Sequence, residues 1–443
     1  MTSNTTYYRP IQYLGSKTRA ISSIVSECKR LYNPNGYIVD LFSGSSIVSQ
    51  AFYKNGMRVI SNDVLAFCSD IATCMLNQYR GENSIQNVLK FIDSINNVEL
   101  FPTDISVFKS YIGLEEKLLS SKNLLGLKEL YSKLPQIGKN CNVNVNIEYI
   151  KDHIGSYAFQ KSPLIANYYA GTYFGIKQSL NIDALRMLIE EEWASKGNLW
   201  EYSLLLTALY NTCSIIVNSA GKHFAQPIII DADDISKITN RRMLENRCYD
   251  VKRVFQECVI NICSAIKDYK YPSECISLNM DVCSSEFNQI LLNKKISVLY
   301  ADPPYTAQQY SRFYHIPEVL HFYVYPKLQI FRGSITQGIY PDNKYKSPFC
   351  SKSKARKAFS CLFEMADKNG SHLILSYSES KNKKTGNERM ISLDELLQLA
   401  KTIIPRYNIK QINFDFDYKQ FNRKDKVVEE KEDKEFLIIF EKA

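Results

Sequence analysis

One stretch decides the fold: Gly36-Tyr-Ile-Val-Asp40-Leu-Phe-Ser-Gly44-Ser-Ser, a short apolar strand pattern that runs into a turn of small residues. Residues 47–55 then carry apolar side chains at helical spacing, and Gly56 is a typical residue to end a helix. A second apolar strand, Arg58-Val-Ile-Ser-Asn-Asp63, follows and finishes on an acidic residue. Residues 36–63 therefore predict one β-α-β unit, and parallel strands joined by a helix predict an α/β sheet covered on both faces.

The rest of the chain predicts that this sheet is interrupted and resumed. Its 443 residues exceed the ~250–300 that a single core usually supports. Strand signals fade between residues 76 and 270, where long helical patterns dominate; the clearest is the apolar stripe over residues 251–266. Strand patterns return at 275–281, 296–302, 372–377, 411–418 and 435–440. We interpret residues 1–75 and 271–443 as two parts of one sheet domain and residues 76–270 as an inserted helical domain.

Composition excludes several classes of protein. Hydrophobic residues at 45% and charged residues at 23% are ordinary for a globular chain, which excludes collagen-like and wholly disordered proteins. The first residues lack the pattern of a signal peptide, and no stretch is long enough to span a bilayer, so we expect no membrane association. The twelve cysteines are scattered without a Cys-x-x-Cys pair, which favours reduced cytoplasmic thiols and predicts no metal site.

The strongest chemical signal is Asp302-Pro303-Pro304-Tyr305, which comes directly after the buried part of the strand pattern 296–302. Open α/β sheets bind their ligands at this end of a strand. Two consecutive prolines would hold the backbone rigid beside the carboxylate. The alternative interpretation is a plain Pro-Pro turn beside a surface tyrosine.

At these residues the chain resembles the Dam-like DNA adenine N6-methyltransferases, which depend on S-adenosyl-L-methionine. Tyr13-Leu-Gly15-Ser-Lys17 is similar to the N-terminal motif of that family, Asp40-Leu-Phe42-Ser43-Gly44 to its cofactor loop, and Asp63 to the acidic end of its second strand. Asp281-Val282 resembles its adenine-binding strand end. One departure is Ser45-Ser46, where the family's loop usually ends in a second glycine; serine can still cap a helix N-terminus.

Two further segments carry the resemblance into the rest of the chain. Asn218-x-x-Gly221-x-x-Phe224-x-x-Pro227 is similar to a segment of Dam-like recognition regions, and Tyr310-Ser-Arg-Phe-Tyr-His315 follows Asp-Pro-Pro-Tyr as in many relatives. The resemblance implies a Rossmann-like methyltransferase fold, a mixed sheet with helices on both faces, plus an inserted, mainly helical target-recognition domain. It also implies a cytoplasmic protein of bacterial or phage type.

The implied reaction is methyl transfer to the exocyclic amino group of an adenine flipped out of double-stranded DNA. The implied cofactor-binding residues are Tyr13, Gly15, Lys17, Asp40, Phe42, Ser43, Gly44, Asp63, Asp281 and Val282. That amino nitrogen is a poor nucleophile, so it benefits from acceptors that bind its hydrogens as charge develops, here the Asp302 carboxylate and, by resemblance, the Pro303 carbonyl. Tyr305 offers a flat face on which the flipped base can stack.

Charge suggests where DNA is held. Lys and Arg total 55 against 46 Asp and Glu, a net charge of +9 that favours a polyanionic partner. Residues 332–357 hold seven Lys or Arg against one Asp, a net +6, whereas residues 76–270 hold 22 against 21. We therefore expect phosphate contacts from a loop after the catalytic strand, unless its charges simply face solvent. The DNA-binding candidates are Lys344, Lys346, Lys352 and Lys354 there, and Lys222, Phe224, Arg241 and Arg242 in the insert.

Other functions stay open at this point. The same acceptor geometry could methylate adenine in RNA or N4 of cytosine, and the chain could be a silent DNA-binding module that keeps a cofactor pocket. A cytosine C5 reaction needs a cysteine nucleophile, which the Pro-Pro-Tyr context does not offer. The expected setting is restriction-modification or another epigenetic or defence system, with any cognate restriction endonuclease acting separately. Either a monomer or a dimer is compatible with the sequence.

Overall fold

The computed structural model describes residues 7–102, 105, 107–134, 163–194, 198–231, 237–267, 274–379, 388–414 and 434–443. Three of the stretches that the sequence patterns distinguish lie outside the described residues: the irregular polar stretch 139–146, residues 415–418 of one predicted strand, and residues 423–433 of the charge-dense run 423–434, for which the sequence predicts a hairpin loop.

A seven-stranded sheet lies at the centre of the chain, in the order β3-β2-β1-β4-β7-β9-β8. Its strands are β1 Tyr37–Asp40, β2 Val59–Asp63, β3 Cys275–Asn279, β4 Ile296–Ala301, β7 His372–Glu379, β8 Tyr407–Asn413 and β9 Lys434–Lys442. The first five strands in that order are parallel, and β9 pairs antiparallel with both β7 and β8. The predicted mixed α/β sheet is confirmed. A separate hairpin joins β5 Ile330–Phe331 to β6 Ser334–Ile335.

Helices cover both faces of the sheet. They are α1 Ile21–Leu31, α2 Ile47–Lys54, α3 Ala66–Met75, α4 Ser84–Ser94, α5 Lys109–Ser120, α6 Leu124–Ser132, α7 Leu164–Tyr169, α8 Ile176–Ile189, α9 Leu199–Ile216, α10 Ile238–Arg247, α11 Val251–Ile266, α12 Ser285–Leu292, α13 Tyr310–Phe313, α14 His315–Phe322, α15 Lys352–Asn369 and α16 Leu393–Ile403. Within the described part of the chain, no helix is both long enough and apolar enough to span a membrane.

The strands are apolar on both sides because each side meets a layer of helices. In β1, Ile38 packs in one core with α1, α2 and α3, whereas Val39 packs in the other core with α12, α15 and α16. Successive side chains of a strand point to opposite faces, so a strand buried on both sides is a continuous apolar run. Because of this burial, a change from apolar to polar residues in the sequence marks the end of each strand pattern.

Among the described residues, the named secondary-structure elements between β2 and β3 are all helices, as predicted, and irregular segments such as residues 223–231 connect them. All eight apolar residues of the predicted stripe in α11, from Val251 to Ile266, are buried. The central α9 packs against α3 and α11, and the indole N–H of its fully buried Trp200 donates to the Cys74 carbonyl at 3.1 Å. Helices α9 and α11 therefore share one core with the sheet, whereas α5 and α6 pack in a separate cluster, and the domain boundaries at residues 75 and 270 stay predictions.

The strand order places a crevice beside β1. The chain passes from β1 to β2 on one side, whereas β4 lies on the other side, so the direction of winding reverses between β1 and β4. The carboxyl ends of these parallel strands meet at one edge of the sheet. Open α/β sheets bind ligands at such a reversal.

Candidate active site

One cavity lies at this edge, between the ends of β1, β2 and β4. All ten residues predicted to bind the cofactor line it, together with Asp302 and Pro304 of the predicted catalytic element. About 910 Å³ lies between the lining residues, the mouth toward solvent included. The structure thus brings together residues that lie as far apart in the chain as Tyr13 and Asp302.

The loop after β1 is shaped around Gly44. This glycine has φ +50°, and a Cβ atom added to it would lie 2.5 Å from Cε1 of Tyr13. The Tyr13 ring is in turn stacked on Tyr314, with ring centroids 4.6 Å apart and planes 6° from parallel. Only glycine fits both the conformation and the space here.

Ser46 corrects one expectation about this loop. It directly precedes α2, but its side chain makes no capping hydrogen bond, and its hydroxyl is buried without a partner. Its backbone is left-handed, with φ +58°. Ser46 therefore adopts a conformation that glycine takes without cost, at the place where the resembled family has its second glycine.

Asp40 is buried at the end of β1. The Ser49 hydroxyl in α2 donates to its Oδ2 at 2.6 Å and also reaches Ser61 Oγ in β2 at 2.9 Å. Burial raises the pKa of Asp40 to about 7, against the lowering effect of the Ser49 hydrogen bond. The carboxylate is thus fixed by α2 at the floor of the cavity.

Asp63 ties the cofactor loop to the end of β2. Its Oδ2 accepts from the Gly44 amide and its Oδ1 from the Leu65 amide, each at 2.9 Å. Burial raises the pKa of Asp63 to about 6, although these amides favour the charged form. Because a carboxylate has about four acceptor sites, Asp63 can hold the loop and still accept from a ligand.

Asp281 has a partner that the sequence did not indicate. Its Oδ1 accepts from the Cys283 amide at 2.9 Å, and the hydroxyl of Tyr345 donates to its Oδ2 at 2.8 Å. Tyr345 also lines the cavity. Tyr345 lies within the basic stretch 332–357, and no feature of the sequence there distinguishes this tyrosine as a residue of the site.

Asp302 follows β4 and meets a buried lysine. Lys17 Nζ lies 2.7 Å from Asp302 Oδ2 and 2.9 Å from Oε1 of Glu435, a residue of β9. Burial raises the pKa of Asp302 to about 6, while Lys17 opposes that shift. Burial alone would lower the pKa of Lys17, but the two carboxylates hold it well above its ordinary value. Sequence reasoning missed Glu435, which it assigned only to an apolar strand.

Tyr305 is held by contacts from the end of β7 and the segment that follows it. The Arg389 guanidinium lies 5.2 Å from the centroid of the Tyr305 ring, and the Tyr377 ring lies 5.2 Å from it at 54°. The Met390 amide donates to the Tyr305 carbonyl at 3.1 Å. The ring is therefore fixed by a cation and a second aromatic side chain.

The basic residues after the catalytic strand are partly helical, which corrects the expectation of a loop. Lys352 and Lys354 begin α15, and both are exposed, as is Lys346. Lys352 Nζ lies 2.6 Å from the exposed Glu388 carboxylate. Lys344 is half-buried and donates to Gln329 Oε1 at 2.5 Å.

The candidates in the insert differ in exposure. Phe224 is fully buried, which corrects the expectation that its ring contacts DNA from the surface. Lys222 Nζ donates to the Ile215 carbonyl at the end of α9 at 2.6 Å and to Asn246 Oδ1 at 2.8 Å; burial lowers its pKa to about 8. Arg241 and Arg242 are exposed, and Arg241 pairs with Glu245 at 2.9 Å. Of the four candidates in the insert, Arg241 and Arg242 are the two whose side chains are exposed.

Comparison with known proteins agrees with the resemblance. Residues 13–168 match the family model of D12 class N6 adenine-specific DNA methyltransferases, which confirms the family predicted from the motifs. The chain is 23% identical over 374 residues to the type II methyltransferase M.FokI of Planomicrobium okeanokoites, covering 83% of this chain and 44% of that protein. It is 24% identical over 395 residues to modification methylase LlaI of Lactococcus lactis subsp. lactis, covering 88% and 48%.

A third relative is matched over most of both chains. The type II methyltransferase M.NlaIII of Neisseria lactamica is 23% identical over 391 residues, which covers 86% of this chain and 87% of the relative. By contrast, this chain spans about half the length of the first two relatives.

Proposed function

We propose, from the premise that this chain belongs to the D12 class family whose model residues 13–168 match, that it methylates N6 of adenine in double-stranded DNA with S-adenosyl-L-methionine as donor. One observation carries the proposal: the Asp302 carboxylate and three acidic strand ends face the same cavity at the reversal of the sheet. This arrangement joins a pocket for a nucleoside to an acceptor for an amino group.

The residues present fit the donor. The Ser43 hydroxyl lines the cavity, is buried and has no hydrogen-bond partner, as expected of a group that awaits a ligand. Asp63 would accept from ribose hydroxyls and Asp281 from the adenine amino group, while Phe42 and Val282 give apolar walls. S-adenosylmethionine, when bound, supplies a methyl group that its sulfonium already activates. The chain therefore needs no covalent nucleophile.

The chain's own contribution is to receive and orient the amino group of the base. Asp302 and the Pro303 carbonyl would accept its two N–H groups, and Asp302 would take the proton that the nitrogen loses. Lys17 at 2.7 Å favours the charged form of Asp302 at neutral pH. Two prolines fix this acceptor pair, so little rearrangement is needed during transfer.

DNA would approach from the side of α15. Lys346, Lys352 and Lys354 are exposed there and suit phosphates, which position a duplex without reading its sequence. Tyr305 would stack on the flipped base. Sequence reading is assigned to the helical insert, with Arg241 and Arg242 as its exposed candidates.

The biological setting forms part of the proposal. Relatives carry names of type II methyltransferases and modification methylases, which supports a cytoplasmic role in restriction-modification beside a separately acting endonuclease. DNA from a host that expresses the chain would then carry a methylated motif.

Incubation with tritiated S-adenosylmethionine and mixed-sequence duplex DNA tests the activity. We expect label in DNA with the wild type and none with Asp302→Ala, which should still bind DNA. Duplex RNA serves as the competing substrate. Absence of labelling by a wild-type protein that demonstrably binds the donor would refute the activity, and near-normal turnover by Asp302→Ala would refute the role of Asp302.

A further inference from the structure

Glu435 is a buried carboxylate that the proposed reaction does not yet use. Its side chain is 5% exposed and lies in β9, opposite Ser378 of β7, at the start of a run of buried apolar residues. Burial of a carboxylate is costly unless it is paired, and an apolar residue often serves stability as well or better. The position of Glu435 therefore calls for a reason besides packing.

Its partner is the lysine that also meets the catalytic aspartate. Lys17 Nζ lies 2.9 Å from Glu435 Oε1 and 2.7 Å from Asp302 Oδ2, and Lys17 itself is 6% exposed. One buried cation thus serves two carboxylates, and the three groups together carry a net charge of −1. Lys17 with Asp302 alone would be neutral.

We propose that Glu435 is a positioning residue for methyl transfer, which offsets the charge of Lys17 so that Asp302 keeps the basicity that the amino group requires. The inference rests on the proposed function. In the step concerned, the N6 lone pair forms the new N–C bond, the C–S bond breaks with its electron pair on sulfur, and the proton lost by nitrogen passes to Asp302. A net negative cluster favours both the positive charge that develops on nitrogen and the proton transfer.

The surroundings of Asp302 agree with this sign. Burial raises the pKa of Asp302, Glu435 raises it further, and Lys17 lowers it. The other titratable groups that face it are Asp40 at the end of β1 and the tyrosines 300, 305 and 310. Removal of the Glu435 charge should therefore make Asp302 a weaker base while Lys17 stays cationic.

Single-turnover methylation rates measured against pH test the role, with Glu441→Gln as the matched control. Glu441 lies in the same strand, pairs with Arg30 at 3.1 Å and is 38% exposed. We expect Glu435→Gln to lower the plateau rate, by at most about tenfold for each pKa unit that Asp302 loses, and to move the acidic limb of the profile to lower pH. Glu441→Gln should change neither.

A purely structural role would change thermal stability or donor affinity without moving that limb. Glu435→Asp keeps the charge and should leave the limb in place even if packing suffers. An unchanged plateau and limb in Glu435→Gln, in a preparation whose wild type is active, would overturn the inference.

A second measurement does not depend on activity. Carbon-13 NMR of aspartate-labelled protein, with the Asp302 signal assigned from Asp302→Asn, follows its titration directly. We expect a titration near pH 6 in the wild type and at lower pH in Glu435→Gln. Equal midpoints would overturn the inference whether or not the wild type methylates DNA, whereas an inactive wild type with shifted midpoints would refute the proposed function alone.

Discussion

Replacement of Gly44 by alanine should damage the cofactor pocket more than the fold. The new Cβ would lie 2.5 Å from Cε1 and 2.8 Å from Cζ of Tyr13, distances that require the loop or the ring to move. A left-handed conformation costs a non-glycine residue roughly 1–2 kcal/mol. Movement of the loop would also weaken the hydrogen bond from the Gly44 amide to Asp63, and a bond to a charged group contributes about 1.5–3 kcal/mol.

These two contributions to the free energy add to about 2.5–5 kcal/mol, of which part falls on ligand binding because both Asp63 and Gly44 line the cavity. We expect the affinity for S-adenosylmethionine, measured by isothermal titration calorimetry, to fall by about a factor of 100, which corresponds to roughly 2.7 kcal/mol.

Gly56→Ala is the matched control. Gly56 also has a left-handed backbone, with φ +76°, but a Cβ there would meet nothing within 4 Å. It should lower the free energy of unfolding by about 1–2 kcal/mol and leave the affinity unchanged. Wild-type affinity in Gly44→Ala, or an equal loss of affinity in both variants, would refute the reasoning.

Three further predictions concern Tyr345, Ser46 and the exposed lysines near α15. Tyr345→Phe removes the hydroxyl that donates to Asp281 at 2.8 Å. We expect this change to weaken binding of S-adenosylmethionine by about 1 kcal/mol, measured by calorimetry, and an unchanged affinity would mean that the Tyr345 hydroxyl does not orient Asp281 for the ligand. Ser46→Gly should raise the free energy of unfolding, measured in urea, by about 1 kcal/mol, because glycine adopts φ +58° without strain. Ser45→Gly should not raise it, and a Ser46→Gly protein less stable than the wild type would contradict the claim that the Ser46 backbone is strained. Lys346→Ala and Lys354→Ala, as single variants, should each lower the slope of log K for DNA binding against log salt concentration by about one. Arg253→Ala on α11 should leave this slope unchanged, and equal slopes in all variants would mean that other residues contact the phosphates.

Strand patterns and their polar ends predicted the sheet and the cavity because both depend on local order. Asp40 and Asp63 end apolar strands and Asp302 directly follows one, and parallel strands bring such ends to one edge. The helical spacing of the apolar residues in α11 likewise predicted which face of this helix is buried.

Side-chain pairing across the fold could not be predicted in this way. Glu435 meets Lys17 only because β9 enters the sheet beside β7, and no local pattern reports that placement. Phe224 is a DNA-binding candidate by sequence, but its side chain is fully buried, and its amide donates to the Phe313 carbonyl at 2.8 Å, contacts that no local pattern reports. Local motifs thus located the site, whereas tertiary contacts decided which residues support it.

The central claim is that the protein methylates the exocyclic amino group of adenine in DNA, in the cavity that Asp302 lines. Nucleoside mass spectrometry after incubation of duplex DNA with methyl-deuterated S-adenosylmethionine tests this claim most directly. We expect deuterated N6-methyldeoxyadenosine with the wild type and none with Asp302→Ala. Label on cytosine, or none in DNA while the donor is bound, would contradict the account.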